Sequence, residues 1–104
     1  MMMPRKTLRD LARGQACLVR LVVICNFDPQ TTVLAHLRMA GITGAGQKAP
    51  DALGAWACSA CHDCLDGRTH KDMDPEFKRL AFLEGMARTQ YQLLKDEYLL
   101  ECVA

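Results

Sequence analysis

The sequence predicts a small α+β domain, with a short helix near its N-terminal end, strands before its middle and one long helix near its C-terminal end. Three observations point there. Two runs rich in β-branched and aliphatic residues, 16–25 and 31–37, fall in the first half. A series at helical spacing (Phe77, Leu80, Leu83, Ala87, Tyr91, Leu94, Tyr98) fills the last third. The length of 104 residues, half of them apolar, suits one modest core and a single domain over 1–104.

Each element has its own signal. Thr7-Leu8-Arg9-Asp10 spells a capping box that opens a short helix, and Gly14 closes it. Residues 16–25 read as a strand or hairpin, Asn26-Phe27-Asp28-Pro29 as a turn, and Thr31–Leu37 as a second strand with His36 near its end. The glycines from Gly41 to Gly46 make a loop running to Pro50, without the lysine and hydroxyl of a phosphate loop. Residues 52–57 read as a short helix or turn. Ser59 caps a helix through about Leu65, ended by Gly67. Asp74 caps the long helix, with Pro75 at its first position. The apolar series on that helix is expected to face the core, and Gly85 within it to mark a close approach or a bend.

Composition narrows the function classes. Charged residues make up 24% of a half-apolar chain, which excludes a largely disordered one. Arg20 interrupts the longest apolar run, far short of the ~20 residues of a membrane span. The first residues carry no apolar export segment, so the expected location is the cytoplasm. The net charge of +1 hides an asymmetry: residues 1–50 carry seven basic and two acidic side chains, residues 51–104 six basic and ten acidic. Charge alone reads as a solvated surface, but a basic half is also what a polyanion needs.

Six cysteines are many for a chain expected in a reducing compartment, and metal binding accounts for them better than disulfides. Cys58-Ser59-Ala60-Cys61 is a C-x2-C knuckle, and Cys17 and Cys25 form a second pair. Two such pairs supply the four thiolates of a closed tetrahedral zinc site. Cys64 extends the knuckle and competes for a place in the site; Cys102 is expected to be an unligated thiol. Cys58 to His62 also spells the C-x-x-C-H of c-type haem attachment, which the absence of an export segment and the four other cysteines argue against. His62 and Asp66 lie four apart on one predicted helix, so both project from one face and can hold a divalent cation.

The order of these parts carries a resemblance. A cysteine pair, a histidine at a strand end, a loop and then C-x2-C-H-x3-D on a helix resembles the HNH nucleases, the ββα-metal or His-Me finger superfamily. More closely still, the chain is similar to the small prophage nuclease-type proteins of the YbcO family. The matching stretches are Leu11-Ala12-Arg13-Gly14, Cys17 to Cys25-Asn26, Leu34-Ala35-His36-Leu37-Arg38, Ala57-Cys58-Ser59-Ala60-Cys61-His62-Asp63 and Leu83-Glu84-Gly85-Met86-Ala87-Arg88-Thr89-Gln90. Together they run over most of the chain.

The resemblance implies a zinc-stabilised HNH-like finger in a bacterial host cell that hydrolyses DNA phosphodiester bonds. It implies His36 as the general base, His62 and Asp66 as ligands of Mg²⁺ or another divalent metal, and Cys17, Cys25, Cys58 and Cys61 as ligands of a structural zinc. It also implies that Arg38 reaches a DNA phosphate, and His70 is a further ligand candidate. Two positions depart from the family pattern. Ala35 stands where HNH fingers carry a further metal ligand, and no Asn lies between His36 and Cys58 to orient the base. Asp51 and Gln47 are the candidates for that orienting role. The same pattern fits a zinc-stabilised nucleic-acid-binding module without catalysis, or a zinc adaptor for another protein.

Overall fold

The computed structural model describes residues 7–43 and 47–99. The elements run α1 (Leu8–Leu11), β1 (Val33–His36), β2 (Gly54–Ala57), α2 (Ser59–Leu65) and α3 (Pro75–Lys95), with a 3₁₀ turn at Pro29–Thr31 before β1. This is a small α+β architecture built on a two-stranded sheet. No helix among the described residues is long and apolar enough to cross a membrane.

The predicted capping box forms: Thr7 Oγ1 accepts from the Asp10 amide at 3.1 Å, and the Thr7 amide donates back to Asp10 Oδ2 at 3.2 Å. The turn after Asn26 forms through side chains too, with the Asp28 amide on Asn26 Oδ1 at 2.8 Å and the Gln30 amide on Asp28 Oδ1 at 3.0 Å.

The chain departs from the sequence expectation at residues 16–25, which form turns and irregular backbone rather than a strand or hairpin. Their apolar pattern is real, with Cys17, Val19, Leu21 and Cys25 buried. Their backbone groups are used differently. The Leu18 amide donates to Trp56 O at 2.8 Å, but Leu18 O is taken by the Arg88 guanidinium at 2.7 Å. The Arg20 amide then turns onto Cys17 Sγ at 3.5 Å, with Arg20 and Val23 in the left-handed region at φ 55° and 70°. A ladder cannot pass through two such residues.

Residues 52–57 depart as well: Gly54–Ala57 is a strand, antiparallel to β1 with His36 opposite Gly54 and Leu34 opposite Trp56. Gly54 permits the pairing. A Cβ there would lie 2.7 Å from Leu34 Cδ1 and 3.0 Å from Ala35 O. One side of the sheet packs Ala35, Ala55 and Ala57 against the cysteines, and the other packs Leu34 and Trp56 against Leu11 and Leu93.

α2 and α3 start where their signals direct, with one shift: the N-cap of α2 is Cys58 rather than Ser59. α3 ends at Lys95, short of the series' last member Tyr98. Gly67, at φ 78°, ends α2 in a Schellman turn, its amide on Cys64 O at 3.1 Å and the Arg68 amide on Asp63 O at 2.9 Å. Asp74 Oδ1 accepts from the Glu76 amide at 3.1 Å, with Pro75 first in α3.

The apolar series on α3 is not the core face. Leu80 is 57% exposed, Tyr91 64% and Tyr98 53%, whereas Gly85, Thr89 and Leu93 are buried. The helix is apolar on two sides, and contact goes to the side where small residues admit close approach. Thr89 Oγ1 accepts from the Trp56 amide of β2 at 3.0 Å. A Cβ on Gly85 would come within 2.8 Å of Val19 Cγ2 and 3.0 Å of Val19 Cα. Gly85→Ala is therefore expected to destabilise the domain by about 1–2 kcal/mol, although alanine gains ~1 kcal/mol over glycine in helix propensity. A urea midpoint at or above the wild-type value would show that the contact relaxes without cost.

Candidate functional site

The turns of residues 16–25 bring two cysteines onto the start of α2. The sulfurs of Cys17, Cys25, Cys58 and Cys61 all lie within 4.8 Å of one another, and all four residues are buried. Among the described residues this is the one group of three or more metal-ligand side chains so gathered. Cys25 Sγ and Cys58 Sγ are 3.8 Å apart. A tetrahedron of Zn–S bonds of about 2.3 Å has edges of about 3.8 Å, so the spacing fits zinc. Backbone amides already point at the sulfurs: Cys61 and Asn26 donate to Cys58 Sγ at 3.4 and 3.5 Å. Such N–H groups stabilise thiolate charge.

Three of the thiols differ sharply in how readily they ionise. Cys17 is lowered to about 4, chiefly by the hydrogen bond from Cys61, and Cys61 is pushed up by the same bond and by burial. Burial pushes Cys25 up to about 11. A cation between them is the charge that would let all four serve as thiolates.

Cys64 is buried but lies outside the group, its sulfur 3.8 Å from Met73 Sδ. Cys64→Ser is expected to leave the zinc content at its wild-type value. Loss of metal on elemental analysis would transfer the site to the C-x2-C-x2-C run. Cys102 lies outside the described residues.

Beyond β1 opens a cleft of about 980 Å³, into which His36, His62, Asp66 and Arg38 all face. β1 carries His36, α2 carries His62, and Asp66 caps the C-terminal end of α2. His62 Nε2 is 3.3 Å from Asp66 Oδ2, which fits a divalent cation held by the pair. Asp66 also accepts from Arg38 at 3.1 Å and Arg68 at 3.3 Å. Ala35 is buried and offers no ligand. His70 is exposed and does not line the cleft.

Asp51, not Gln47, meets the histidine: His36 Nε2 lies 2.7 Å from Asp51 Oδ1. The His36 hydrogen bond holds the Asp51 carboxyl below its ordinary value, with the nearby Arg9 guanidinium adding to the effect. An ionised carboxylate only accepts, so in neutral His36 the proton sits on Nε2 and Nδ1 keeps its lone pair. This is the arrangement of an oriented base.

The sequence reading did not single out Arg68, Arg9, Arg13 or Lys48, which line the cleft with Arg38. The available signal was the basic excess of residues 1–50, which contributes four of these five cations.

The chain is similar to known proteins along most of its length. A family model described as "Putative nuclease YbcO" matches residues 6–98. The "Putative nuclease YbcO" of Escherichia coli (strain K12) is 51% identical over 89 residues, covering 86% of this chain and 92% of that protein. The "Putative nuclease ybcO" of Enterobacteria phage 82 matches to the same extent, 51% over 89 residues. A solved structure described as "Structure of a putative bacteriophage protein from Escherichia coli str. K-12 substr. MG1655" superposes with a TM-score of 0.73 at 44% identity, covering 88% of this chain and 100% of that one.

Proposed function

The chain belongs to the YbcO family of nuclease-type proteins, and from that premise we propose that it is a phage or prophage endonuclease that hydrolyses DNA phosphodiester bonds with a divalent metal, on an HNH-like ββα-metal finger. The observation that carries the reading is His36, held by Asp51 and lining one basic cleft together with His62 and Asp66. The β1–β2–α2 order, with the histidine at the end of β1 and the second pair on α2, supports the finger assignment.

Asp51 holds the ring through Nε2, and His36 Nδ1 takes the proton of the attacking water. His62 and Asp66 would hold Mg²⁺ or another divalent cation, which when bound supplies Lewis-acid stabilisation of charge on the phosphate. Arg38 moves between Asp66 and a phosphate oxygen, both within reach of an exposed guanidinium. Cys17, Cys25, Cys58 and Cys61 would hold a zinc ion, which would fix the Cys17–Cys25 loop to the start of α2.

The test is nicking of supercoiled plasmid with Mg²⁺ or Mn²⁺. A specific observation favours a second reading, a DNA-binding module without catalysis: Asp66 is engaged by two guanidiniums and Ala35 adds no ligand. Salt-dependent DNA binding without nicking at any metal concentration would select it.

A further inference from the structure

We infer that α1 with the turn after it, together with the loop before β2, forms a second phosphate-binding rail that holds the polynucleotide strand beyond the bond to be cut; this rests on the nucleic-acid reading above. Arg9 and Arg13, one helical turn apart in sequence, line the cleft together with Lys48 from the loop. All three are exposed. None of the three contacts Asp66, which Arg38 and Arg68 attend.

The acids in the cleft, and Asp51 beside it, do not cancel this charge. Asp10 is turned to the Thr7 amide in the capping box. Asp66 is shared by two arginines and His62. Asp51 is bonded to His36 and lies 3.7 Å from Arg9. That last contact gives Arg9 two roles. It covers the Asp51 carboxylate, which would otherwise repel a passing phosphate, and its exposed guanidinium still has donors free for one. Cations thus stand both beside Asp51, the partner of His36, and beside Asp66, which suits a strand running from one to the other, whereas a mononucleotide would need only one of them. The chemistry recognised is the phosphodiester backbone, so base identity is not read here.

The test is binding of a fluorescent 16-mer DNA duplex, without added divalent metal, across a salt series. Each phosphate contact adds about 0.9 to the slope of log affinity against log salt. The triple variant Arg9→Gln/Arg13→Gln/Lys48→Gln should lower that slope by about 2.7 and weaken binding at low salt by at least tenfold. The control Lys71→Gln/Lys95→Gln, which removes two charges outside the cleft, should leave the slope at its wild-type value. Among single variants, Arg9→Gln should weaken binding most, because it also uncovers Asp51. Shortening the DNA to a dinucleotide should remove the difference between wild type and triple variant. Single-stranded RNA of the same length should show the same ranking of variants if the backbone alone is read.

If the triple variant binds with the wild-type slope while Arg38→Gln lowers it, the rail is overturned and the nucleic-acid reading stands. If wild-type protein shows no salt-dependent binding, both fall together. Zinc content and circular dichroism of each variant separate a lost contact from a lost fold.

Discussion

Cys58→Ala will strip the protein of zinc and unfold most of the domain. Three contributions end at this one sulfur. It belongs to the buried four-cysteine group, 3.8 Å from Cys25 Sγ. It caps α2 by accepting from the Cys61 amide. It accepts from the Asn26 amide, across 32 positions of sequence. Loss of a cap costs about 1 kcal/mol. Structural zinc in small peptides binds with about 10–16 kcal/mol at neutral pH, which matches or exceeds the ~5–15 kcal/mol stability of a whole domain. The zinc term therefore decides the outcome. Elemental analysis should find one zinc per wild-type chain and none in the variant, and circular dichroism should show the helical signal falling with it. Chelation of the wild-type protein should reproduce the loss. A wild-type protein purified without chelators that contains no zinc overturns the assignment. A Cys58→Ala variant that keeps both its helices and its cleft would reduce the group to buried thiols packed as small hydrophobes.

The same sulfurs explain what the sequence did and did not disclose. Signals local to a few residues read true. Thr7 and Asp74 cap where expected, Gly67 ends α2, and the C-x2-C knuckle meets the Cys17/Cys25 pair. Residues 16–25 have the composition of a strand, but their shape comes from partners far away: the Arg88 guanidinium, Trp56 O and the cysteine cluster. β-propensity measures fit to a half-buried surface, and it was outvoted here. Gly54–Ala57 failed in the opposite sense, because an alanine-rich segment with a glycine shows little strand character until Leu34 and Ala35 close on it. On α3 the most hydrophobic stripe lost to the tightest one, since Gly85 and Thr89 offer close approach and a hydrogen bond that Leu80 and Tyr91 cannot. The site was legible by residue type, with His36, His62 and Asp66 meeting in one cleft. Its electrostatic setting was not, because Arg9 and Arg68 reach it only through the folded positions of α1 and the turn after α2.

His36→Ala should abolish nicking while leaving the fold in place. His36 is half-buried at the end of β1, and its ring bonds Asp51 rather than any core group. Removing it leaves the cysteine group, the β1–β2 ladder and the basic residues untouched, so zinc content, helical signal and DNA affinity should stay near wild type. A general base contributes about 10²–10⁴ in rate, enough to carry a weak nuclease below detection. His62→Ala should also stop cleavage, by a different route. It removes one of the two side chains that would hold the divalent cation, and Asp66 alone, shared with Arg38 and Arg68, is a poorer site. Raising Mg²⁺ or Mn²⁺ should therefore restore part of the activity of His62→Ala by mass action. No metal concentration should rescue His36→Ala, because the lost group moves a proton and holds no ion. A plasmid-nicking titration of both variants against metal separates the two roles. Wild-type nicking by His36→Ala would leave that histidine as no more than Asp51's packing partner. Equal rescue of both variants would make His36 a ligand instead of a base. If wild type fails to nick at every metal concentration but still binds DNA, the grip of two arginines on Asp66 outweighs the cation, and this domain holds nucleic acid without cutting it.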